Sequence, residues 1–179
     1  MPLTLPSRGR PVSVTINPWS WEAMDADFRQ AATVTASTTW PTANTARFFP
    51  FSVGEPCTAV KMFVVNGTVA SGNLDLGIYD AAGTRLVSTG STAQSGTSDL
   101  QLVDITDIAL SPGVIYYAAL VMDGTTGTYY RMDSSSSHGA KSLGLLQMAS
   151  AFPLPATATM VTTSISAVPY FGVSRLVTI

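Results

Sequence analysis

Residues 72–89, with the sequence GNLDLGIYDAAGTRLVST, decide the fold class of this chain. Leu74, Leu76 and Ile78 alternate with polar or small residues, which is the period-two pattern of a strand. Residues 80–83, DAAG, favour a tight turn, and a second short apolar run follows them directly. We therefore predict a β-hairpin here with one buried face, and with it a fold of antiparallel strands.

Short runs of the same kind continue toward the end of the chain. Residues 60–65 alternate and stop at an Asn-Gly turn signal, and residues 173–179 alternate as well. Residues 114–122, VIYYAALVM, contain no polar residue, which predicts a central strand buried on both faces. Residues 141–151 are expected to form a short helix or an irregular excursion. About eight strands follow from these runs, so we predict an all-β, two-sheet antiparallel β-sandwich of jelly-roll-like type.

The N-terminal quarter of the chain has a different character. Residues 1–45 contain five prolines and all three tryptophans, so we predict an extended N-terminal arm for docking, followed by the sandwich domain over residues 46–179. Ser20 is a suitable cap for a short helix over residues 21–32, where apolar side chains recur at helical spacing. The arm's predicted anchors in an assembly are Trp19, Trp21, Met24, Phe28 and Trp40. The alternative is that the tryptophans fold back onto their own domain.

The composition favours assembly over work as a lone enzyme. Only 11% of the 179 residues are charged and 46% are apolar, so part of the surface is expected to be covered by neighbouring subunits. Nine Lys and Arg with a net charge of −2 predict no binding to nucleic acid. The sequence shows no signal-peptide pattern and no long apolar span, so we expect neither secretion by that route nor membrane insertion.

The residues that carry enzyme chemistry are scarce. Cys57 and His138 are the only residues of their kinds, so no metal site is predicted, and Cys57 is interpreted as a small buried hydrophobe. No nucleophile elbow, phosphate-binding loop or pair of facing carboxylates is recognisable. We therefore predict no cofactor and no enzyme activity, with polysaccharide hydrolysis as the least favoured class.

One group of residues has the chemistry of a recognition surface. Tyr129, Tyr130 and Arg131 are adjacent, and His138 follows in a serine-rich loop. Aromatic faces stack on sugar rings while polar groups bond hydroxyls, so these four residues form a candidate receptor-binding loop. Adjacent strand residues face opposite sides, so at most one of the two tyrosines could serve.

Three stretches carry a resemblance to known proteins. They are residues 72–96 (GNLDLGIYDAAGTRLVSTGSTAQSG), 103–123 (VDITDIALSPGVIYYAALVMD) and 169–176 (PYFGVSRL). Over residues 47–179 the chain resembles β-sandwich virion proteins of tailed bacteriophages, of the minor tail, tail-fibre or head-decoration type. The resemblance rests on strands and turns, and no functional residue carries over.

The resemblance implies a non-enzymatic virion component that is assembled in the host cytoplasm and binds other capsid or tail proteins. We expect a homo-oligomer, with a trimer as the candidate symmetry. The leading hypothesis is a structural protein that docks on the particle through its arm. The alternative is a receptor- or glycan-binding module of a tail fibre, with a host-surface glycan as its partner. Head and tail locations both remain open at this stage.

Overall fold

A computed structural model describes residues 12–16, 34–133, 144–163 and 167–177. Within these ranges the chain forms strands and no helix, which confirms the all-β class. The predicted helix over residues 21–32 lies outside the described residues. The fourteen strands are β1 (Val12–Ile16), β2 (Val34–Thr39), β3 (Ala46–Phe51), β4 (Cys57–Val65), β5 (Asn73–Asp80), β6 (Arg85–Ser88), β7 (Thr92–Ala93), β8 (Leu100–Leu110), β9 (Tyr116–Met122), β10 (Thr128–Asp133), β11 (Leu146–Met148), β12 (Val161–Thr162), β13 (Ala167–Pro169) and β14 (Phe171–Val177).

The strands form three antiparallel sheets. The first sheet has the order β1-β14-β4-β8, and the second has the order β12-β11-β3-β9-β5-β6, with β7 also paired to β5. A third, small sheet has the order β13-β10-β2. Neighbours in the sheets are often distant in the chain, as β4 and β14 are, so the fold depends on long-range pairing rather than on hairpins alone.

The main core lies between the first two sheets. Met62 of β4 and Val173 of β14 belong to the same buried cluster as Leu76 of β5 and Leu120 of β9. Inward-facing residues of two sheets that fill one core are the defining feature of a sandwich. The described chain is therefore β-sandwich-like.

The strand predicted to be buried on both faces is confirmed in its position. β9 lies between β3 and β5, and six of its seven residues are buried. Val114 and Ile115, which the same apolar run included, precede the strand and are 40% and 54% exposed. The apolar run therefore extends beyond the strand into a surface turn.

β5 differs from the prediction. The hairpin to β6 forms as expected, and the Gly83 N–H donates to the Asp80 carbonyl at 3.1 Å in its turn. The alternation of Leu74 with Asp75 predicted one exposed face, but both faces are buried. Residues 149–160, which we call the strap, contribute Ala151, Leu154 and Ala158 to a second apolar cluster with Tyr79 of β5.

Two strands come from the segment predicted to be an arm. β1 pairs with β14 over five residue pairs, and β2 pairs with β10. Residues 1–45 thus contribute strands to the sheets formed by residues 46–179. That residues 1–45 act as a docking arm stays a prediction. The boundary at residue 45 does not separate two independent sets of strands.

Candidate assembly and binding surfaces

Trp40 lies inside its own domain. Its side chain is 1% exposed and meets the ring of Tyr129 edge-on, with ring centroids 5.1 Å apart. The indole Nε1–H donates to the carbonyl of Thr45 at 3.1 Å, so the polar group of the buried ring is satisfied. Trp40 therefore packs as the fold-back alternative describes, and its role as an anchor in an assembly stays a prediction.

The candidate receptor-binding loop is only partly available at the surface. Tyr129 is 1% exposed, so the structure removes it from that surface. Tyr130 and Arg131 are half-buried. His138 lies outside the described residues. The four residues are thus not shown to form one surface, and Tyr130 is the tyrosine of the pair that remains at the solvent boundary.

The other predicted anchors, Trp19, Trp21, Met24 and Phe28, lie outside the described residues. The structure does describe the strands on either side of them. β1 ends at Ile16 in register with Val173, and β2 begins at Val34 in register with Met132. Residues 17–33 are therefore attached to the domain at both ends.

Leu154 is one of the strap residues that pack against the outer face of the second sheet. The side chain of Leu154 lies over Gly77, where an added Cβ would come within 2.8 Å of the leucine Cδ1. The Leu154 N–H donates to the Asp75 carboxylate at 2.9 Å, and the Arg85 guanidinium donates to the Leu154 carbonyl. The Tyr79 hydroxyl donates to the next carbonyl along the strap, that of Pro155, at 2.7 Å.

Burial sets the electrostatics under the strap. Asp75 is fully buried, and this burial raises the pKa of its carboxyl group although hydrogen bonds from Leu154 and Thr89 lower it. Burial also raises the pKa of Tyr79. Both groups already have hydrogen-bond partners and are covered by the strap, so they hold the strap in place and offer no open catalytic pair.

A second buried polar cluster surrounds Arg47 of β3. Arg47 is 1% exposed, and its guanidinium donates to the side chains of Gln147 on β11 and Thr163. Burial lowers the pKa of Arg47 to about 10, while the neighbouring Tyr129 raises it. The cluster ties the excursion after β10 to the edge of the second sheet, so its evident role is structural.

The sequence did not reveal these two clusters. The sequence does contain a trace of the cluster under the strap, because Asp75 and Gly77 occupy alternate positions of an apolar strand. We interpreted these positions as an exposed face. Within the described ranges, no group of three or more His, Cys, Asp or Glu side chains could hold a metal ion. The described residues also include no helix long and apolar enough to cross a membrane.

Two shallow grooves lie on the described part of the surface. A groove of about 390 Å³ at one end of the sandwich is lined by residues that include Glu55, Cys57 and Leu110. A second groove, of about 250 Å³, lies between the β5–β6 turn and the strap. Glu55 is the single carboxylate among the described lining residues of the two grooves, so neither presents the paired carboxylates of a glycoside hydrolase.

Exposed apolar side chains are a more distinctive feature than the grooves. Seven large apolar residues of the described chain are at least 40% exposed: Val69, Leu86, Leu100, Leu102, Val114, Ile115 and Val161. Leu100 and Leu102 lie two residues apart on one strand.

Comparisons of the chain with protein-family models, with curated proteins and with solved structures found no match.

Proposed function

We propose that this chain is a non-enzymatic bacteriophage virion structural protein that docks onto the particle through its N-terminal arm and self-associates there. In the particle it serves as a head-decoration protein, a head fibre or a tail component. In finer detail, we propose that its two large sheets form a jelly-roll-like sandwich. The low charge, the exposed apolar side chains and the resemblance of residues 47–179 to phage virion proteins support this proposal.

The observation that carries the proposal is the attachment of residues 17–33 to strands at both ends. This segment of seventeen residues contains Trp19, Trp21, Met24 and Phe28, which are the kinds of large apolar side chain that anchor interfaces. β1 and β2 fix the two ends of the segment to different sheets. A docking segment held at both ends loses less conformational freedom on binding than a free tail does.

Deleting residues 1–45 would be a poor test, because the deletion also removes β1, β2 and the buried Trp40. A full-length variant with Trp19, Trp21, Met24 and Phe28 all changed to serine is better. We expect it to be absent from purified particles, or strongly depleted, when it replaces the wild-type chain. The measurement is its copy number per particle, by quantitative mass spectrometry.

The matched control changes two exposed apolar residues elsewhere, Val114→Ser and Ile115→Ser, and is expected to incorporate normally. Thermal unfolding of both purified variants must show that the domain is still folded. Wild-type incorporation of the four-serine variant would overturn the docking proposal. Whatever the outcome of this test, electron cryomicroscopy of wild-type particles would assign the chain to the head or to the tail.

The alternative function is a receptor- or glycan-binding module. Its support from the residues is narrower than the sequence suggested, because Tyr129 is buried. Tyr130 and Arg131 stay candidates for such a surface. No described feature favours this alternative over the docking proposal.

A further inference from the structure

β8 is an edge strand that has no strand partner on its outer side among the described residues. It is the last strand of the first sheet and pairs only with β4. The Leu100 N–H is bonded to the Asp99 side chain at 2.8 Å, so it does not point toward β4. Because strand backbone groups alternate in direction, the N–H and C=O groups of Leu100, Leu102 and Asp104 face the open edge.

The open part of this edge is five residues long. Leu100 to Asp104 pair regularly with Val65 to Lys61 of β4. The register then shifts, because three residues of β8 lie opposite a single residue of β4 before pairing resumes at Ile108. Such a bulge ends regular pairing along an edge. Any strand that adds to β8 is thereby confined to residues 100–104.

The same five residues expose an apolar surface. Leu102 is in register with Phe63, and both lie on the face opposite the core-facing Met62 and Val103. Leu102 is 51% exposed, and Leu100 on the same face is 47% exposed. Sheet edges are usually protected by charge, and Asp104 is the one charged residue of this five-residue segment. The Asp104 carboxylate lies 2.7 Å from the Lys61 ammonium.

We propose that a second copy of this chain adds to the edge, so that β8 pairs antiparallel with β8 across a twofold axis at Leu102. Leu102 then faces Leu102 of the other copy, and Leu100 faces Asp104 of the other copy. The backbone N–H groups that face the edge in one copy meet the backbone C=O groups that face the edge in the other copy, so the segment is self-complementary. The two four-stranded sheets become one continuous sheet.

The register also satisfies the side chains. No carboxylate lies directly opposite another carboxylate within residues 100–104, and each Asp104 keeps its partner Lys61. The Asp99 side chain releases the Leu100 N–H, which then donates to the Asp104 carbonyl of the other copy. The edges of the second sheet are less suitable, because β12 has two residues and β6 has four.

This pairing deepens the self-association part of the proposed function, and it gives a twofold contact in place of the trimer expected earlier. A five-residue ladder with two leucines from each copy is a small interface, so the dimer is weak and forms readily only at high local concentration. Crowding on a particle surface supplies that condition.

The first test is sedimentation velocity of the isolated full-length protein over a wide concentration series. Wild type is expected to shift from monomer to dimer as the concentration rises. Leu102→Lys places two like charges opposite each other at the axis and is expected to stay monomeric. Leu86→Lys is the matched control, since Leu86 is 42% exposed on β6, and it should dimerise like wild type. A wild type that stays monomeric throughout, or a Leu102→Lys variant that dimerises normally, would overturn the pairing.

The second test locates the contact. Residues opposite each other across such a ladder have Cα atoms about 5.5 Å apart, within the range of a disulfide. In a Cys57→Ala background, Leu102→Cys is expected to form a reducible covalent dimer on oxidation, and Leu86→Cys is not. Equal cross-linking of both variants would contradict the register. Because these tests use the isolated protein and the docking test uses particles, either proposal can fail without the other.

Discussion

Leu154→Ala is the sharpest test of the strap. The leucine side chain is 1% exposed and fills the space above Gly77, so truncation leaves a cavity on the outer face of β5. The hydrogen bonds that Asp75 and Arg85 make to the Leu154 backbone do not depend on the side chain. The strap is therefore expected to stay in place without collapsing into the cavity, which is the condition under which such truncations are costly.

We expect the free energy of unfolding to fall by about 3 kcal/mol, which corresponds to a fall in Tm of roughly 6–12 °C for a chain of this size. Differential scanning calorimetry and urea unfolding would measure both values. Leu86→Ala is the control, because the same truncation at a 42% exposed position should cost less than about 0.5 kcal/mol. Equal effects at Leu154 and Leu86 would refute the packing of the strap.

A double-mutant cycle extends the test to Gly77. A Cβ at Gly77 would lie 2.8 Å from Leu154 Cδ1 and 3.0 Å from the Val87 carbonyl oxygen. Gly77→Ala should cost about 1–3 kcal/mol in the wild-type background by overpacking. In the Leu154→Ala background the first clash is gone and the second remains, so the cost should be smaller without vanishing. Strictly additive costs would show that the two side chains do not meet.

Two further predictions concern buried polar and aromatic groups. Because burial raises the pKa of Asp75 above its usual 3.8, the protonated carboxyl stabilises the fold, and this contribution is lost as the pH rises through the raised pKa. The unfolding free energy of wild type minus that of Asp75→Asn should therefore decrease in urea unfolding as the pH rises above the usual Asp pKa of 3.8, and a difference that rises with pH would contradict this. Trp40→Ala should lower the unfolding free energy of the isolated protein by about 3–5 kcal/mol, because the ring is buried against Tyr129. A change below about 1 kcal/mol in the same assay would contradict the buried position.

The sequence predicted the fold best where a strand carries its own evidence of burial. β9 was recognisable as a central strand because its apolar run has no polar residue on either face. β5 was not recognisable as buried on both faces, since Asp75 and Gly77 look like a solvent-facing pattern. Their partner, Leu154, lies 79 residues from Asp75 in the chain, and no local pattern reports a contact of that kind.

The candidate sites were harder to predict than the strands, because large aromatic residues suit cores and interfaces equally well. Trp40 was assigned to the docking arm and Tyr129 to a receptor-binding loop, yet the two rings form one contact inside the domain. Alternation along β10 required one of Tyr129 and Tyr130 to face inward, but only the pairing with β2, with its register shift after Tyr129, decides which one does. An aromatic residue whose polar group and ring face are both satisfied by its own chain has little left to offer a partner. By that criterion Trp40 and Tyr129 are poor candidates for binding a partner, and Leu100 and Leu102 are better ones. The side chains of the two leucines are about half exposed, and they lie on β8, the edge strand of the first sheet.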